Sequence, residues 1–219
     1  MKSALKKYLG SDNKGALLLL MALICVLFTF GTQGLFLNTQ NIRNILVSAS
    51  LNGIIGIGMT FVLITGGIDL SVTGNIIMTS LLVSKMMMSG VNWAVCLLAA
   101  LVIGALVGII NGYAIGKFGM VAFVVTMAMN LITTGYGKLF SGGLTLYGFP
   151  EVHGIFCKYL LGIIPGPVIM MAVVAVIASL ILRYTNYGRK LYAVGGNVKA
   201  AWMSGIKTSK VIIIAYIIS

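Results

Sequence analysis

The stretch TGGIDLSV, residues 65–72, separates two long apolar segments of this 219-residue chain. It contains Asp69, one of only three acidic residues in the chain. The paired glycines, Gly66 and Gly67, predict a break between two helices, because glycine destabilises a helix interior by about 1 kcal/mol relative to alanine. Two interpretations of the acid are open. Asp69 or Ser71 caps the second helix, or Asp69 is a functional group at membrane depth, where a carboxylate costs roughly 2.5–3.5 kcal/mol.

The composition identifies the class of protein. Hydrophobic residues make up 59% of the chain and charged residues only 8%, whereas soluble domains carry about 25% charged residues. A soluble fold cannot bury that much apolar surface. We therefore predict an all-α, polytopic membrane protein, since a helix satisfies its own backbone hydrogen bonds in lipid.

The apolar segments predict about six complete transmembrane helices and the truncated beginning of a seventh. We expect one transmembrane domain over 1–219, with a cytoplasmic N-terminus (1–14), transmembrane helices (15–183), a cytoplasmic loop (184–210) and the start of the next helix (211–219). That last run is far shorter than the ~20 residues that a spanning helix needs, so we expect the sequence to be a fragment of a longer protein. The six spans are predicted at 15–33, 42–65, 72–88, 93–115, 121–140 and 168–183.

The net charge of +12 indicates how the chain is oriented. Its basic residues lie at the ends of apolar segments and not on an aromatic-interleaved surface, so nucleic acid is not an expected ligand. Six crossings place most of the Lys and Arg residues on the side of the N-terminus and of the 184–210 loop. Arg43, Lys85, Lys138 and Lys158 fall on the other side. The positive-inside rule then predicts a cytoplasmic N-terminus.

The sequence predicts no metal site and no catalytic group. Cys25 and Cys96 lie in apolar runs, while Cys157 and the lone His153 lie in a loop, without a CxxC motif or a Cys/His cluster. A membrane-embedded enzyme would need paired carboxylates, a Ser/His/Asp set or a metal cluster. The three acids and one histidine are instead scattered along the chain.

Small residues recur at every fourth position of the fourth predicted span, at Ala100, Gly104, Gly108, Gly112 and Gly116. In lipid, such a stripe lets the backbone of another helix come close, so it predicts helix packing and not chemistry.

Polar residues share one face of the fifth predicted span, at Thr126, Asn130, Thr133 and Thr134. This face either lines a hydrophilic path or hydrogen-bonds to neighbouring helices, and the second use is the commoner one in membranes.

The loop over 184–210 contains signals for a short helix. Asn197 is a suitable N-cap for a helix over 198–204, and Gly205 is suited to end that helix in the left-handed conformation. A helix of this length is marginal in water. It therefore either docks on another surface or is a solvated connector.

Two segments resemble a known family. GMTFVLITGGIDLSV (58–72) followed by GRKLYAVGGNVKAAWMSGI (188–206) is similar to the ribose-type sugar permeases of ABC importers, within the branched-chain amino acid/ribose permease superfamily. The entry NIRNIL (41–46) into the second span matches as well. The related branched-chain amino-acid permeases have a looser form of the first motif and fit less well.

The resemblance implies a function. Such permeases carry a simple sugar, a ribose-like monosaccharide or a related polyol, across the bacterial inner membrane. They work as a homo- or heterodimer with cytoplasmic ATPase subunits and a periplasmic sugar-binding protein. The chain itself would be no enzyme and would need no cofactor, because ATP binds to the partner subunit. In agreement, the sequence contains no GxxxxGK[ST] phosphate loop.

The resemblance also implies roles for residues. Because an ATP-driven importer needs no titrating carboxylate, we expect Asp69 to cap a helix beginning near Leu70 and to fix the angle between two spans, and not to bind the substrate. The residues expected to couple to the ATPase are Gly195, Gly196, Asn197, Ala200, Ala201, Ser204 and Gly205. The helix-break motif near the translocation path consists of Gly66, Gly67, Asp69 and Ser71. The candidates for lining that path are Asn52, Asn75, Asn111, Thr126 and Asn130.

Two alternative functions are compatible with the sequence. An ion-coupled secondary transporter or channel would use Asp69 as its ion or proton site, but it would leave the capped loop helix unexplained. An ABC permease for a branched-chain amino acid or another small solute would share the same architecture.

Overall fold

The computed structural model describes residues 14–144, 146, 159–160 and 164–219. Within these residues the regular secondary structure is helical apart from one antiparallel pair of two-residue strands. Residues 1–13 of the predicted cytoplasmic N-terminus, Cys157 and His153 lie outside the described residues, as does most of the connection between the fifth and sixth spans. In chain order the elements are α1 (Lys14–Gly31), a 3-10 helix (Leu35–Leu37), α2 (Thr39–Ile64), α3 (Val72–Met88), α4 (Trp93–Gly116), α5 (Ala122–Ser141), β1 (Tyr159–Leu160), β2 (Ile164–Pro165), α6 (Gly166–Tyr184), α7 (Asn186–Gly196), α8 (Val198–Met203) and α9 (Thr208–Ile218).

The chain divides into two compact units, residues 1–49 and 50–219. In the described part of the first unit, α1 ends before a turn at Gly34, which has a φ of 85°. The side chain of Asn41 then donates a hydrogen bond of 2.8 Å to the carbonyl of Phe36. The rings of Phe28 and Phe36 lie 5.9 Å apart. These contacts stabilise the corner between α1 and the start of α2.

In the second unit, α4 and α9 form a close helix pair. A Cβ atom added at Gly112 would lie 2.7 Å from the Cα of Ile213, and one added at Gly116 would lie 3.0 Å from the carbonyl oxygen of Ser209. Gly108 is pressed in the same way against the backbone at Tyr216. The predicted packing role is therefore confirmed for Gly108, Gly112 and Gly116, whose partner is α9. Gly104 instead faces α3, since a Cβ atom there would lie 3.6 Å from the side-chain nitrogen of Asn75.

Helices α3 and α5 form a second close pair. A Cβ atom at Gly137 of α5 would lie 2.9 Å from the Cα of Met78. Gly74 of α3 faces Thr133 and the backbone of Asn130. Glycines on both helices thus allow the two backbones to approach each other. In lipid, where the hydrophobic effect does not drive helix association, such close van der Waals packing holds helices together.

A buried apolar cluster lies where α7 and α8 meet the ends of longer helices. It joins Phe61 and Val62 of α2 to Leu191 and Val194 of α7, and it also includes Tyr216 of α9. Much of the remaining helical surface is exposed leucine, isoleucine and phenylalanine. Such an outer surface suits hydrocarbon and not water.

The predicted spans agree with the observed helices to within about three residues at each described end, but the number of crossings is not confirmed. Of the described helices, only α2, α4 and α6 are both long and apolar enough to cross a membrane. Helices α1, α3 and α9 provide shorter apolar stretches. Three long apolar helices in a chain with so little charge still make it a polytopic, all-α membrane protein.

The prediction for residues 184–210 was incomplete. This segment contains α7 as well as the predicted short helix, and α9 already begins at Thr208. The side chain of Thr185 accepts a hydrogen bond of 3.1 Å from the backbone N–H of Gly188 and so caps α7. Helix α7 was not predicted because its three glycines disfavour a helix. It is nevertheless amphipathic, since Leu191 and Val194 are buried while Arg189 and Lys190 are exposed.

Candidate functional site

The predicted break between α2 and α3 is confirmed. Helix α2 ends at Ile64, and Gly66 follows with a φ of 79°, a backbone conformation that glycine adopts without steric cost. Gly67 lies against α9, since a Cβ atom there would be 2.7 Å from the hydroxyl oxygen of Tyr216. The two glycines therefore have different roles. Gly66 allows the chain to turn, and Gly67 allows the Tyr216 side chain to come close to the backbone.

Asp69 is buried, with only 4% of its surface exposed. Its Oδ1 accepts a hydrogen bond of 2.9 Å from the backbone N–H of Ser71 and one of 2.6 Å from the hydroxyl of the same residue. Helix α3 begins at Val72, as the predicted span over 72–88 has it and two residues after the start near Leu70 that was expected for the Asp69 cap. Asp69 thus forms a turn with the residue that precedes the helix, as Asp and Asn side chains commonly do, and does not bond to an amide of the first helical turn.

Ser71 links this turn to α4. The side-chain amide of Asn111 donates a hydrogen bond of 2.8 Å to the Ser71 hydroxyl. Asn111 is fully buried, and its Oδ1 has no hydrogen-bond partner within the described part of the chain. Asn111, Ser71 and Asp69 therefore form a chain of buried donors and acceptors, which fastens the break to the helix that carries the glycine stripe.

Two further helices contact the break at the carbonyl oxygen of Ile68. This oxygen lies 3.4 Å from the hydroxyl of Thr126 in α5 and 3.4 Å from the hydroxyl of Tyr216 in α9. Tyr216 lies in an apolar run and has no local sequence signal for a polar contact, so it was not among the predicted site residues. The break is thus enclosed by α4, α5 and α9.

The polar face of α5 makes few bonds to other helices. Thr126 also donates a bond of 2.9 Å to the carbonyl of Ala122, and Thr133 donates one of 2.8 Å to the carbonyl of Met129. Thr134 lies 3.3 Å from the side-chain oxygen of Asn130. Most of this face is therefore satisfied within α5 itself, while it packs against α3.

A cavity of about 350 Å³ lies next to the break, between α2, α3, α4, α6 and α9. This volume is within the range of small-molecule pockets, roughly 300–1,000 Å³. Its wall is mostly aliphatic, with Asn75, Thr79 and Ser219 as polar members. Of the five residues predicted to line a path, Asn75 lies in this wall, Asn52 is exposed on α2, Asn111 and Thr126 are buried at the break, and Asn130 is half-buried against α3.

The second predicted site, around the short loop helix, has the expected local structure. The side chain of Asn197 accepts a hydrogen bond of 2.9 Å from the backbone N–H of Ala200, so it caps α8. Helix α8 ends at Met203, one residue before the predicted end, and Gly205 has a φ of 80°. Both end signals of this helix are confirmed.

Helices α7 and α8 are docked on the rest of the second unit. The Tyr187 hydroxyl donates a hydrogen bond of 3.2 Å to the carbonyl of Val211, and its ring stacks on Phe61 at 6.5 Å. Burial raises the pKa of Tyr187, so the hydroxyl stays a donor. Gly195 packs directly on the carbonyl of Ile64, the last residue of α2. In α8, Ala201 is 5% exposed and belongs to the same buried cluster, so the short helix is docked on its own chain and is not a fully solvated connector.

The outer side of α8 is uncovered. Trp202 and Met203 are 68% and 74% exposed, and Val198 is exposed beside them. Among the residues predicted to couple to a partner, Ala201 is buried and Gly195 contacts α2. The others are exposed: Gly196, Asn197, Ala200, Ser204 and Gly205. A short helix that is rigidly seated and tipped with exposed apolar side chains is suited to enter a groove on another protein.

Comparison with known proteins agrees with this architecture. A family profile described as the permease component of branched-chain amino acid transport systems matches residues 41–219. The chain belongs to this permease family. The break, the glycine stripe and the docked α7–α8 segment all lie within the matched range.

Curated relatives of this chain include proteins named as permeases for sugars. It is 35% identical to the ribose import permease protein of Escherichia coli (strain K12) over 92% of this chain and 63% of the relative. It is 38% identical to the ribose import permease protein of Bacillus subtilis (strain 168), over 83% and 57% of the two chains. It is 32% identical to the D-allose transport system permease protein of E. coli K12, over 91% of this chain and 62% of the relative. The chain therefore spans about six-tenths of the length of these relatives. No solved structure shows significant similarity to it.

Proposed function

We propose that this chain is part of the membrane-spanning permease subunit of an ATP-driven sugar importer in a bacterial inner membrane, with its N-terminus in the cytoplasm. The observation that carries the proposal is the docked α7–α8 segment, whose exposed tip is apolar, in a chain whose relatives are named as ribose and allose permeases. The proposed cargo is a ribose-like monosaccharide or a related polyol.

The α7–α8 segment is the proposed contact with a cytoplasmic ATPase. Trp202 and Met203 would enter a groove of that subunit, while Ala201 faces back into this chain. ATP would be bound and hydrolysed by the partner, and this chain would act as no enzyme. A second permease subunit and a periplasmic sugar-binding protein complete the proposed complex.

The packing supports a mechanical role for the segment. Movement of α7 and α8 would be passed to the end of α2 through the contact of Gly195 with Ile64, and to α9 through the bond of Tyr187 to Val211. Helix α9 is packed on the glycine stripe of α4. We propose that nucleotide-driven closure of the ATPases rocks these helices as a body, which is a common form of two-state switching.

The proposed path for the sugar runs beside the break. The cavity with Asn75 and Thr79 in its wall is the candidate subsite, and amide and hydroxyl groups suit the weak, neutral contacts that a polyol makes. Asp69 has a structural role in this proposal, since its Oδ1 already accepts two bonds from Ser71.

Truncation of the apolar tip tests this function. In the full-length protein, Trp202→Ala together with Met203→Ala should leave the fold intact, because both side chains point away from the chain. Retention of the ATPase during purification should fall at least tenfold, since buried aromatic anchors commonly contribute more than about 2 kcal/mol to binding. ATP-driven sugar uptake in proteoliposomes should fall with it.

Phe118 provides a matched control. It is also highly exposed, but it lies in the turn between α4 and α5, so Phe118→Ala should retain the ATPase. Undiminished ATPase binding by the Trp202/Met203 variant would contradict the proposed contact. Sugar uptake driven by an ion gradient alone, without the ATPase, would contradict the proposed function as a whole and favour an ion-coupled transporter.

A further inference from the structure

A second cavity, of about 620 Å³, opens between α2, α6 and α7. Ile57, Ala175 and Ala178 line its inner end, and Arg183, Arg189 and Tyr192 line its outer end. We call it the arginine cleft. Arg189 and Tyr192 lie on α7, but neither the residues proposed to enter the ATPase groove, Trp202 and Met203, nor the candidate sugar subsite includes the arginines of the cleft.

The polarity of the arginine cleft changes along the axis of α6. Ala175 and Arg183 are eight residues apart, which is about 12 Å along a helix. Helix α6 is long and apolar enough to cross a membrane, and Arg183 lies in its last turn. Because arginine is costly in hydrocarbon, the outer end of the cleft lies at the level of the lipid headgroups and its inner end at the level of the acyl chains. Tyr192 at the outer end fits the aromatic belt of that level.

The two guanidinium groups have no described carboxylate to neutralise them. Arg189 donates a hydrogen bond to the neutral side chain of Asn186, and the Arg183 guanidinium lies 5.5 Å from the ring of Tyr184. Asp69, the only acidic residue within the described part of the chain, is bonded to Ser71. Two like charges beside a low-dielectric wall repel each other, so an anion between them would be stabilised.

We propose that the arginine cleft binds an anionic phospholipid. The phosphate lies between Arg183 and Arg189, and one acyl chain follows Ile57, Ala175 and Ala178 inward. Guanidinium groups bind phosphate oxygens in a bidentate manner, and basic pockets between membrane helices are suited to lipid headgroups. The apolar wall below the arginines favours a lipid over a free phosphate ion, which would use only the outer end.

Lipid retention measured by native mass spectrometry tests this site in the purified protein. The wild type should keep phosphatidylglycerol in preference to phosphatidylcholine. Arg183→Gln combined with Arg189→Gln should lower the retained phosphatidylglycerol roughly tenfold or more, because each basic residue near a membrane surface contributes to the binding of anionic lipid. Lys190→Gln removes the same charge next to Arg189 but outside the cleft, and it should retain the lipid.

A second variant separates lipid binding from folding. Ala175→Phe fills the inner end of the cleft without changing any charge, and it should also reduce phosphatidylglycerol retention. If the double arginine variant fails to fold, Ala175→Phe decides the question. Equal retention by Ala175→Phe and wild type would overturn the proposal, because the acyl chain would then lie elsewhere.

Three other outcomes would also overturn it. The wild type could bind both phospholipids alike, or inorganic phosphate at millimolar concentration could displace the retained phosphatidylglycerol, which would indicate a site for a soluble anion. Alternatively, the double arginine variant could keep its lipid and lose its ATPase, in which case the cleft belongs to a protein partner. The lipid-retention measurements depend neither on sugar transport nor on the ATPase, so they succeed or fail independently of the proposed function.

Discussion

The side-chain amide of Asn111 donates a hydrogen bond of 2.8 Å to the hydroxyl of Ser71, across 40 positions of sequence. Both residues are almost fully buried. The bond joins the turn before α3 to α4, one turn of helix from Gly108, where α4 contacts α9. The break between α2 and α3 is therefore part of the α4–α9 packing and not a free hinge.

Replacing Asn111 should weaken the attachment of the turn before α3 to α4. We expect Asn111→Ala to lower the free energy of unfolding by about 1–2 kcal/mol, because a buried side-chain hydrogen bond is lost and a small cavity forms. A double-mutant cycle with Ser71→Ala in detergent should give a coupling energy of about 0.6–1.7 kcal/mol. Asn52→Ala, at an exposed position, is the control and should change stability little. Strictly additive effects of the Asn111 and Ser71 changes would show that the bond is not formed.

Asp69 should tolerate an amide better than an apolar side chain. Asp69→Asn keeps an oxygen that accepts from the Ser71 N–H and hydroxyl, whereas Asp69→Ala leaves both donors buried and unpaired, at a cost of about 1–3 kcal/mol. The melting temperature of Asp69→Asn should therefore be higher than that of Asp69→Ala. ATP-driven uptake by the full-length protein should survive Asp69→Asn. Abolished uptake in a stable Asp69→Asn protein would instead assign Asp69 to the substrate or to a coupled ion.

The glycine stripe makes a prediction with a matched control. Gly112→Ala places a methyl group 2.7 Å from the Cα of Ile213, so α4 and α9 must separate. Overpacking of this kind typically destabilises by about 1–3 kcal/mol. Gly135→Ala in α5 meets no atom within 4 Å and should be neutral or stabilising by up to about 1 kcal/mol. Similar melting temperatures for the two variants would mean that α4 and α9 do not pack as described.

Neighbouring glycines at the end of α7 should behave differently. Gly195 packs on the carbonyl of Ile64, whereas a Cβ atom at Gly196 meets nothing within 4 Å. We expect Gly195→Ala to lower the melting temperature, because α7 must move away from α2. Gly196→Trp should leave the melting temperature unchanged and weaken retention of the ATPase, since only a partner can meet the new side chain. A lowered melting temperature of Gly196→Trp, or normal binding of the ATPase by this variant, would contradict the assignment of Gly196 to the surface that faces the partner.

Several features of this protein were predictable from local sequence. The ends of the long helices, the break at Gly66, the cap at Asn197 and the left-handed turn at Gly205 all follow from residues within about four positions of one another. Such signals depend on backbone conformation and short-range hydrogen bonds, which act whatever the rest of the chain does. The packing role of the stripe from Gly108 to Gly116 was predictable for the same reason, because its spacing places every member on one face.

Other features were decided only by the tertiary structure. The sequence could not show that the stripe meets α9, that Asn111 bonds to Ser71, or that Tyr216 covers the break, because each contact joins residues that are far apart in the chain. Many helix arrangements satisfy the same local patterns, and only the packed arrangement selects among them. Helix α7 was missed because its glycines disfavour a helix in isolation, and the burial of Leu191 and Val194 against α2 and α9 outweighs that preference. By itself, then, the sequence determined the elements and the family resemblance, whereas the positions of Asp69, Asn75 and the two cleft arginines depended on contacts between distant helices.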